Sequence, residues 1–137
     1  MTLSRTGATK ALQLDAGYDR GSGMKMKIYS GTVPTNANTA LGAQVLLGTL
    51  TLANTPFSAA VAAGNGATKT AGTIASDTDA DAAGMAAFFR LTKSDDTVVA
   101  QGTVSASGGG GDAILDAISI QLHGIISCSS LVITTGA

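Results

Sequence analysis

Glutamate is missing from this chain; all nine acidic residues are aspartate. Glutamate suits helix interiors, whereas aspartate suits turns and caps, so the absence argues against a mainly helical protein. Tryptophan is missing too, and there are only two tyrosines and three phenylalanines. That leaves thin material for a platform on which bases or sugars could stack. A single cysteine, Cys128, excludes an internal disulfide and is compatible with a reducing compartment. Charged residues make up 12% of the chain, against about a quarter in an average soluble domain. A chain so poor in charge tends to bury much of its surface, against copies of itself or against a partner. The net charge is −1 and the eight cations are scattered, so no nucleic-acid partner is expected. No apolar run approaches the roughly 20 residues that a bilayer requires, so no membrane partner is expected. Arg5 and Lys10 are followed by no apolar run. The amino terminus therefore reads as something other than a secretory signal, in a product made and used without Sec export.

The chain is instead rich in hydrophobic residues, at 45%, and has 18 glycines. Its 137 residues fit one domain with a real core. Chains rich in Gly, Ser, Thr and Ala make short strands joined by tight turns. Residues 1–23 read as a short helix or arm. Ala8, Ala11, Leu12 and Ala16 can share a helix face ended by Gly17 and Gly21, although Leu12 and Leu14 also alternate as in a strand. Residues 24–137 read as the β domain. In residues 24–30, Met24, Met26 and Ile28 point one way and Lys25, Lys27 and Tyr29 the other. Further strands are expected at 45–52, 57–61 (a short edge), 68–74, 85–92, 97–104 and 118–122, with the last at 125–134. Residues 31–43 read as an irregular loop, and 94–96 as the turn of a hairpin. The expected fold is all-β, a sandwich or barrel of about 7–8 short antiparallel strands with a short amino-terminal helix or arm.

No grouping carries a convincing chemistry. Asp77-Thr78-Asp79-Ala80-Asp81 alternates carboxylates as a calcium loop does. A calcium-binding helix-loop-helix motif wants glycine and glutamate where Ala82 and Phe88 stand, so a solvated loop is the better reading. His123 and Cys128 are five residues apart and would face opposite sides of one strand, which is wrong for a nucleophile and its base. The glycine run at 108–111 lacks the Lys and Ser/Thr of a phosphate loop and reads as a strand connection. No enzyme activity, cofactor or metal is expected. Phe88 lies opposite Met85, Ala87, Phe89 and Leu91 on one strand, so both phenylalanines cannot face one core layer. A second covering layer is required, either the amino-terminal segment or another subunit. Phe88, Arg90, Lys25, Lys27 and Tyr29 are accordingly the candidate interface residues of a homo-oligomer or a larger assembly.

The stretch Met26-Lys27-Ile28-Tyr29-Ser30-Gly31-Thr32-Val33-Pro34 resembles the "lkIYdGtrP" opening of a family of small tailed-bacteriophage virion proteins. Leu46-Leu47-Gly48-Thr49-Leu50-Thr51-Leu52 is similar to that family's "LLaeLtl" strand, and Pro56-Phe57 to its "paF". Residues 77–91, 98–104 and 118–133 follow the remaining segments in order, so the resemblance covers about residues 20–135. Phe88 stands where tryptophan is common, and Leu122-His123 where small residues are usual. The resemblance implies a structural protein on the capsid surface of a particle assembled in the host bacterial cytoplasm. It implies a capsid decoration (cement) protein whose partners are the major capsid protein or other virion subunits. A head-tail connector or tail component is the first alternative, and a carbohydrate-binding module on the particle the second.

Overall fold

The computed structural model describes residues 4–135. One helix, α1 (Gly7–Tyr18), is followed by β1 (Lys25–Ser30), β2 (Val45–Leu52), β3 (Val61–Ala63) and β4 (Gly66–Thr70). Then come β5 (Ile74–Ala75), β6 (Gly84–Met85), β7 (Phe88–Thr92) and β8 (Val98–Ala106). The chain ends with β9 (Ala113–Leu115), β10 (Ser119–Ile120) and β11 (Cys128–Thr135). The fold is all-β with one short amino-terminal helix.

The main sheet runs β3-β4-β11-β9-β8-β7-β1-β2-β5, and its two ends belong to the same ribbon. β4 and β5 are parts of one extended stretch. Along one edge it pairs with β2, the segment after it and β3, through Leu52↔Ile74, Phe57↔Ala71 and Val61↔Thr68. Along the other edge, β4 pairs with the second half of β11. The sheet therefore closes on itself as a barrel: β1, β2, β4–β5, β11, β9, β8, β7 and back to β1. Closure removes the exposed edges that an open sheet of this length would offer. A further bridge, Asp77↔Ile126, fastens the segment after β5 to the one before β11. The β8–β9 pair is parallel, which the expectation of antiparallel strands does not include. The glycine run at 108–111 belongs to the connection that makes this pairing possible. Gly108 (φ 85°) and Gly110 (φ 77°) both take left-handed conformations there.

The period of two read in the first strand fixes the inside of the barrel. Met24, Met26 and Ile28 are fully buried and join Leu50, Phe89, Leu91 and Leu131 in one core. Cross-strand pairs Met26↔Leu91 and Ile28↔Phe89 put these side chains on one face. The expected strand 85–92 is interrupted. Met85 pairs with β10, whereas residues 88–92 pair with β1 and β8, so Met85 leaves the core and is 59% exposed. Of the expected edge strand at 57–61, Phe57 makes a bridge, Ser58 N–H bonds the Thr70 carbonyl and Val61 opens β3, and Phe57 itself is buried.

Of the short helix or arm expected at the amino terminus, the helix forms, and it packs on the barrel. Thr6 caps α1 by accepting a hydrogen bond from the Thr9 backbone N–H at 3.2 Å. The helix buries Ala11 and Leu14 against Ala67 of β4, while Leu12 points to solvent. Ala67, Lys69 and Ala71 share one face of β4–β5, and Ala71 packs on the barrel core. α1 therefore covers the inner face of the sheet where β3, β4 and the end of β11 extend past the barrel, and it stops that end. Tyr18 completes the stopper, edge-on to Phe57 at 6.3 Å between ring centroids.

A buried cation fastens the helix. The Lys69 side chain has no exposed surface, and its ammonium donates to Asp15 at 2.5 Å, Asp19 at 3.0 Å and the Ser58 carbonyl at 3.0 Å. Burial pulls the Lys69 pKa down, but the bonds to Asp15 and Asp19 outweigh it, and the net shift is upward from 10.5. Asp15 is lowered from 3.8, chiefly by the Lys69 bond and then by the Ala60 backbone N–H. A lowered carboxylate stabilises the fold above its unfolded pKa and loses that contribution as pH falls through the folded value. A raised ammonium stabilises below its unfolded pKa and loses that contribution as pH rises through the folded value. Asp95 and Asp96 are also lowered, by bonds to Thr97 and to Lys27 and Lys25 respectively, and add to the acid limb. Thermal unfolding should thus give a flat Tm from about pH 5 to about pH 9, falling outside that window. Asp15→Asn should flatten part of the acid limb in the same scan; an unchanged limb would remove Asp15 from the account.

Candidate interaction surface

Phe88, Arg90 and Tyr29, expected at a subunit interface, are buried within the chain. Phe88 stacks on Tyr29 at 5.2 Å, the two being cross-strand neighbours on the outer face of the barrel. The required second layer exists, but neither α1 nor another subunit supplies it. The loop at residues 31–43 does. The Arg90 guanidinium donates to the Thr39 carbonyl at 2.6 Å and to Gln101 Oε1 at 3.0 Å. Gln101 in turn donates to the Pro34 carbonyl at 2.9 Å. Arg90 and Gln101 are themselves cross-strand partners, so one pair of side chains holds the loop over the face that carries Phe88. Lys25 and Lys27 both reach Asp96 at 3.0 Å, at the tip of the β7–β8 hairpin. The two ammonium groups share one carboxylate oxygen, so this corner keeps one positive charge in excess.

The aspartate run is a fastening. Asp77 Oδ2 accepts from the Thr49 N–H at 2.8 Å, and Oδ1 accepts from the Asp79 N–H at 2.9 Å. Gly48 makes room, since a Cβ there would lie 2.6 Å from Asp77 Oδ2 and 2.5 Å from Ile126 Cδ1. Asp79 bonds His123 Nδ1 at 2.6 Å, and both side chains stay largely in solvent. Among the described residues no group of three or more His, Cys, Asp or Glu side chains could hold a metal ion. Cys128 is half-buried and donates to the Ser130 carbonyl, and burial pushes its thiol above the ordinary range. His123 sits on a turn rather than on the strand that carries Cys128.

That turn is the best-defined exposed feature. It follows β10, which pairs with β6 through Ser119↔Met85 and Ile120↔Gly84. His123 takes φ +64°, and Gly124 N–H closes the turn on the Gln121 carbonyl at 2.9 Å. Two more backbone bonds, His123 N–H to Ala80 and Ala80 N–H to Gly124, pin it to the aspartate loop at 2.9 Å each. Asp77 and Ile126 exchange backbone bonds just beyond. On this fixed support Leu122 is 53% exposed, Ile125 67% and Met85 59%. The strand expected at 118–122 includes Leu122, but only Ser119 and Ile120 pair as β10. The tight turn after Ile120 ends the pairing and swings Leu122 outward.

None of the aromatic side chains is exposed: Tyr18 is half-buried and the other four are buried. No described helix is long and apolar enough to cross a membrane. No family model, curated protein or solved structure matches the chain.

Proposed function

We propose that this chain is a structural subunit of a tailed-bacteriophage particle, acting as a capsid decoration protein that bridges neighbouring capsid subunits. The observation that carries this reading is the exposed apolar set Met85, Leu122 and Ile125, on β6 and on the turn after β10, fastened to a closed barrel. Leu122 and Ile125 lie three residues apart on the turn, and Met85 lies on the strand paired with the β10 that leads into it; large apolar side chains exposed this near one another on a rigid support mark a contact site. The phage-family resemblance across residues 20–135 supplies the partner class. The mechanism is adhesion. Each site buries modest apolar area, at about 25 cal/mol per Å², and many sites act together on one shell.

Electron microscopy of particles from the genome that carries this gene, with the subunit labelled, tests the reading. Label over the head surface is expected. Label at the head-tail joint or along the tail would favour the connector or tail alternative, and unlabelled particles would end the virion reading. The surface itself is tested by the triple variant Met85→Ser, Leu122→Ser, Ile125→Ser. Surface changes of this kind should leave the Tm within about 3 °C of the parent. Occupancy on particles lacking the subunit should fall by roughly tenfold or more. Normal occupancy would move the contact elsewhere.

A further inference from the structure

Beside the stopper, the barrel wall opens. β9 pairs with β8 only at Val104–Ala106 and with β11 only as far as Leu131. Past those points β8 and β11 diverge with no strand between them, and a cleft of about 160 Å³ remains. Its apolar lining comes from half-buried Ala100, Val132 and Ile133, over the buried Phe89 and Leu91. The polar residues of the lining are Tyr18, Gln101, Asp112 and Thr134. Asp112 is aimed rather than free to swing. Its Oδ2 accepts from the Thr103 N–H at 3.1 Å and the Thr103 hydroxyl at 3.3 Å. Its own carbonyl accepts from the Val132 N–H at 3.2 Å. Gly102 lets the floor and the carboxylate converge, because a Cβ there would lie 2.7 Å from the Phe89 ring and 3.0 Å from Asp112 Oδ2. No Lys, Arg or His among the described residues forms an ion pair with Asp112.

We propose that this cleft binds a primary alkylammonium group, the butyl stem on the apolar floor and the cationic head at Asp112. The volume suits it, since a cavity of roughly 150 Å³ holds a molecule the size of benzene. The chemistry suits it as well: an apolar stem ending in one strongly hydrated charge matches a slot of mixed lining whose one carboxylate, Asp112, is exposed to solvent. A charged donor bonding a fixed carboxylate makes the stronger class of hydrogen bond. A free alkylamine and a lysine side chain of a partner share this chemistry. The inference goes beyond the virion reading, and its test uses the isolated chain, so either can fail without the other.

The test is an NMR titration of the full chain with n-butylammonium, with n-butanol and butyrate as matched controls. Saturable shifts are expected at Tyr18, Ala100, Val132 and Thr134 with the ammonium alone. Asp112→Asn keeps an acceptor at Thr103 but removes the charge, and should weaken binding roughly tenfold or more. Ala100→Leu fills the slot without touching Asp112 and should abolish the shifts. Nα-acetyl-lysine amide separates the sources. Equal binding admits a partner's lysine, whereas binding of butylammonium alone assigns a free amine. Equal shifts with n-butanol, no shifts with butylammonium, or undiminished binding in both variants would overturn the proposal.

Discussion

A chain beginning at Ser22 should be less stable than the parent by roughly 3 kcal/mol or more, with a Tm about 10 °C lower. The sequence alone presents residues 1–23 as a short helix or arm, with mostly small apolar residues and with Gly17, Gly21 and Gly23 near its join to the first strand. The structure gives that segment a different task. Leu14 is 4% exposed, Ala11 lies beside it, and Tyr18 reaches both the helix contact and the barrel core. Deleting them uncovers Ala67, Phe57 and Ile133 at the stopped end of the barrel. Burial of a large apolar side chain is worth about 1.5–3 kcal/mol, and at least two such side chains are lost here. The Lys69 clasp is lost as well, although its ammonium then regains water and the net electrostatic change is small. Thermal unfolding of the truncated chain measures the effect. A Tm within about 2 °C of the parent would show that α1 is an appendage after all.

Phe88→Ala should cost roughly 3–5 kcal/mol of stability in the isolated subunit, as a deep core truncation does. The ring has no exposed surface and stacks on Tyr29 under the Pro34–Thr39 loop. Removing it leaves a cavity between the barrel and the loop and deprives Tyr29 of its stacking partner. The loop is pinned by hydrogen bonds from Arg90 and Gln101, so it cannot collapse freely into the space. Denaturant unfolding gives the number directly. A subunit that unfolds like the parent but no longer occupies particles would mean that a neighbouring subunit, not the loop, covers Phe88.

Much of the barrel is legible in the sequence. The alternation of Met24, Met26 and Ile28 with Lys25, Lys27 and Tyr29 gives β1 and its inward face, because a strand's side chains alternate regardless of what it pairs with. The turn at Ser94-Asp95-Asp96 gives the β7–β8 hairpin for a similarly local reason, and Asp96 takes the left-handed φ of 68° that such a turn uses. The failures share a cause. Met85 and Leu122 lie in patterns that continue past the point where pairing stops. Periodicity records the alternation but not the strand's end. The cleft was not legible at all. Its lining comes from α1, β7, β8, β11 and the glycine-rich connection, which are scattered along the chain, and its charged member, Asp112, carries no motif.

The sequence by itself determined the fold class, the inward face of β1 and the β7–β8 hairpin. It also required that Phe88 have a covering layer. Those are consequences of local sterics and of the period-two pleat, which need no distant partner. Only the tertiary structure decided what that layer is, and that the two ends of the sheet meet along one ribbon, β4–β5. It alone decided that Lys69 draws the first helix onto the barrel. Each depends on residues 40 or more positions apart: Arg90 with Thr39 across 51 positions, and Lys69 with Asp15 across 54. Interactions at such separation leave no periodic trace, because closing the loop between the partners is set by the packing of the whole chain.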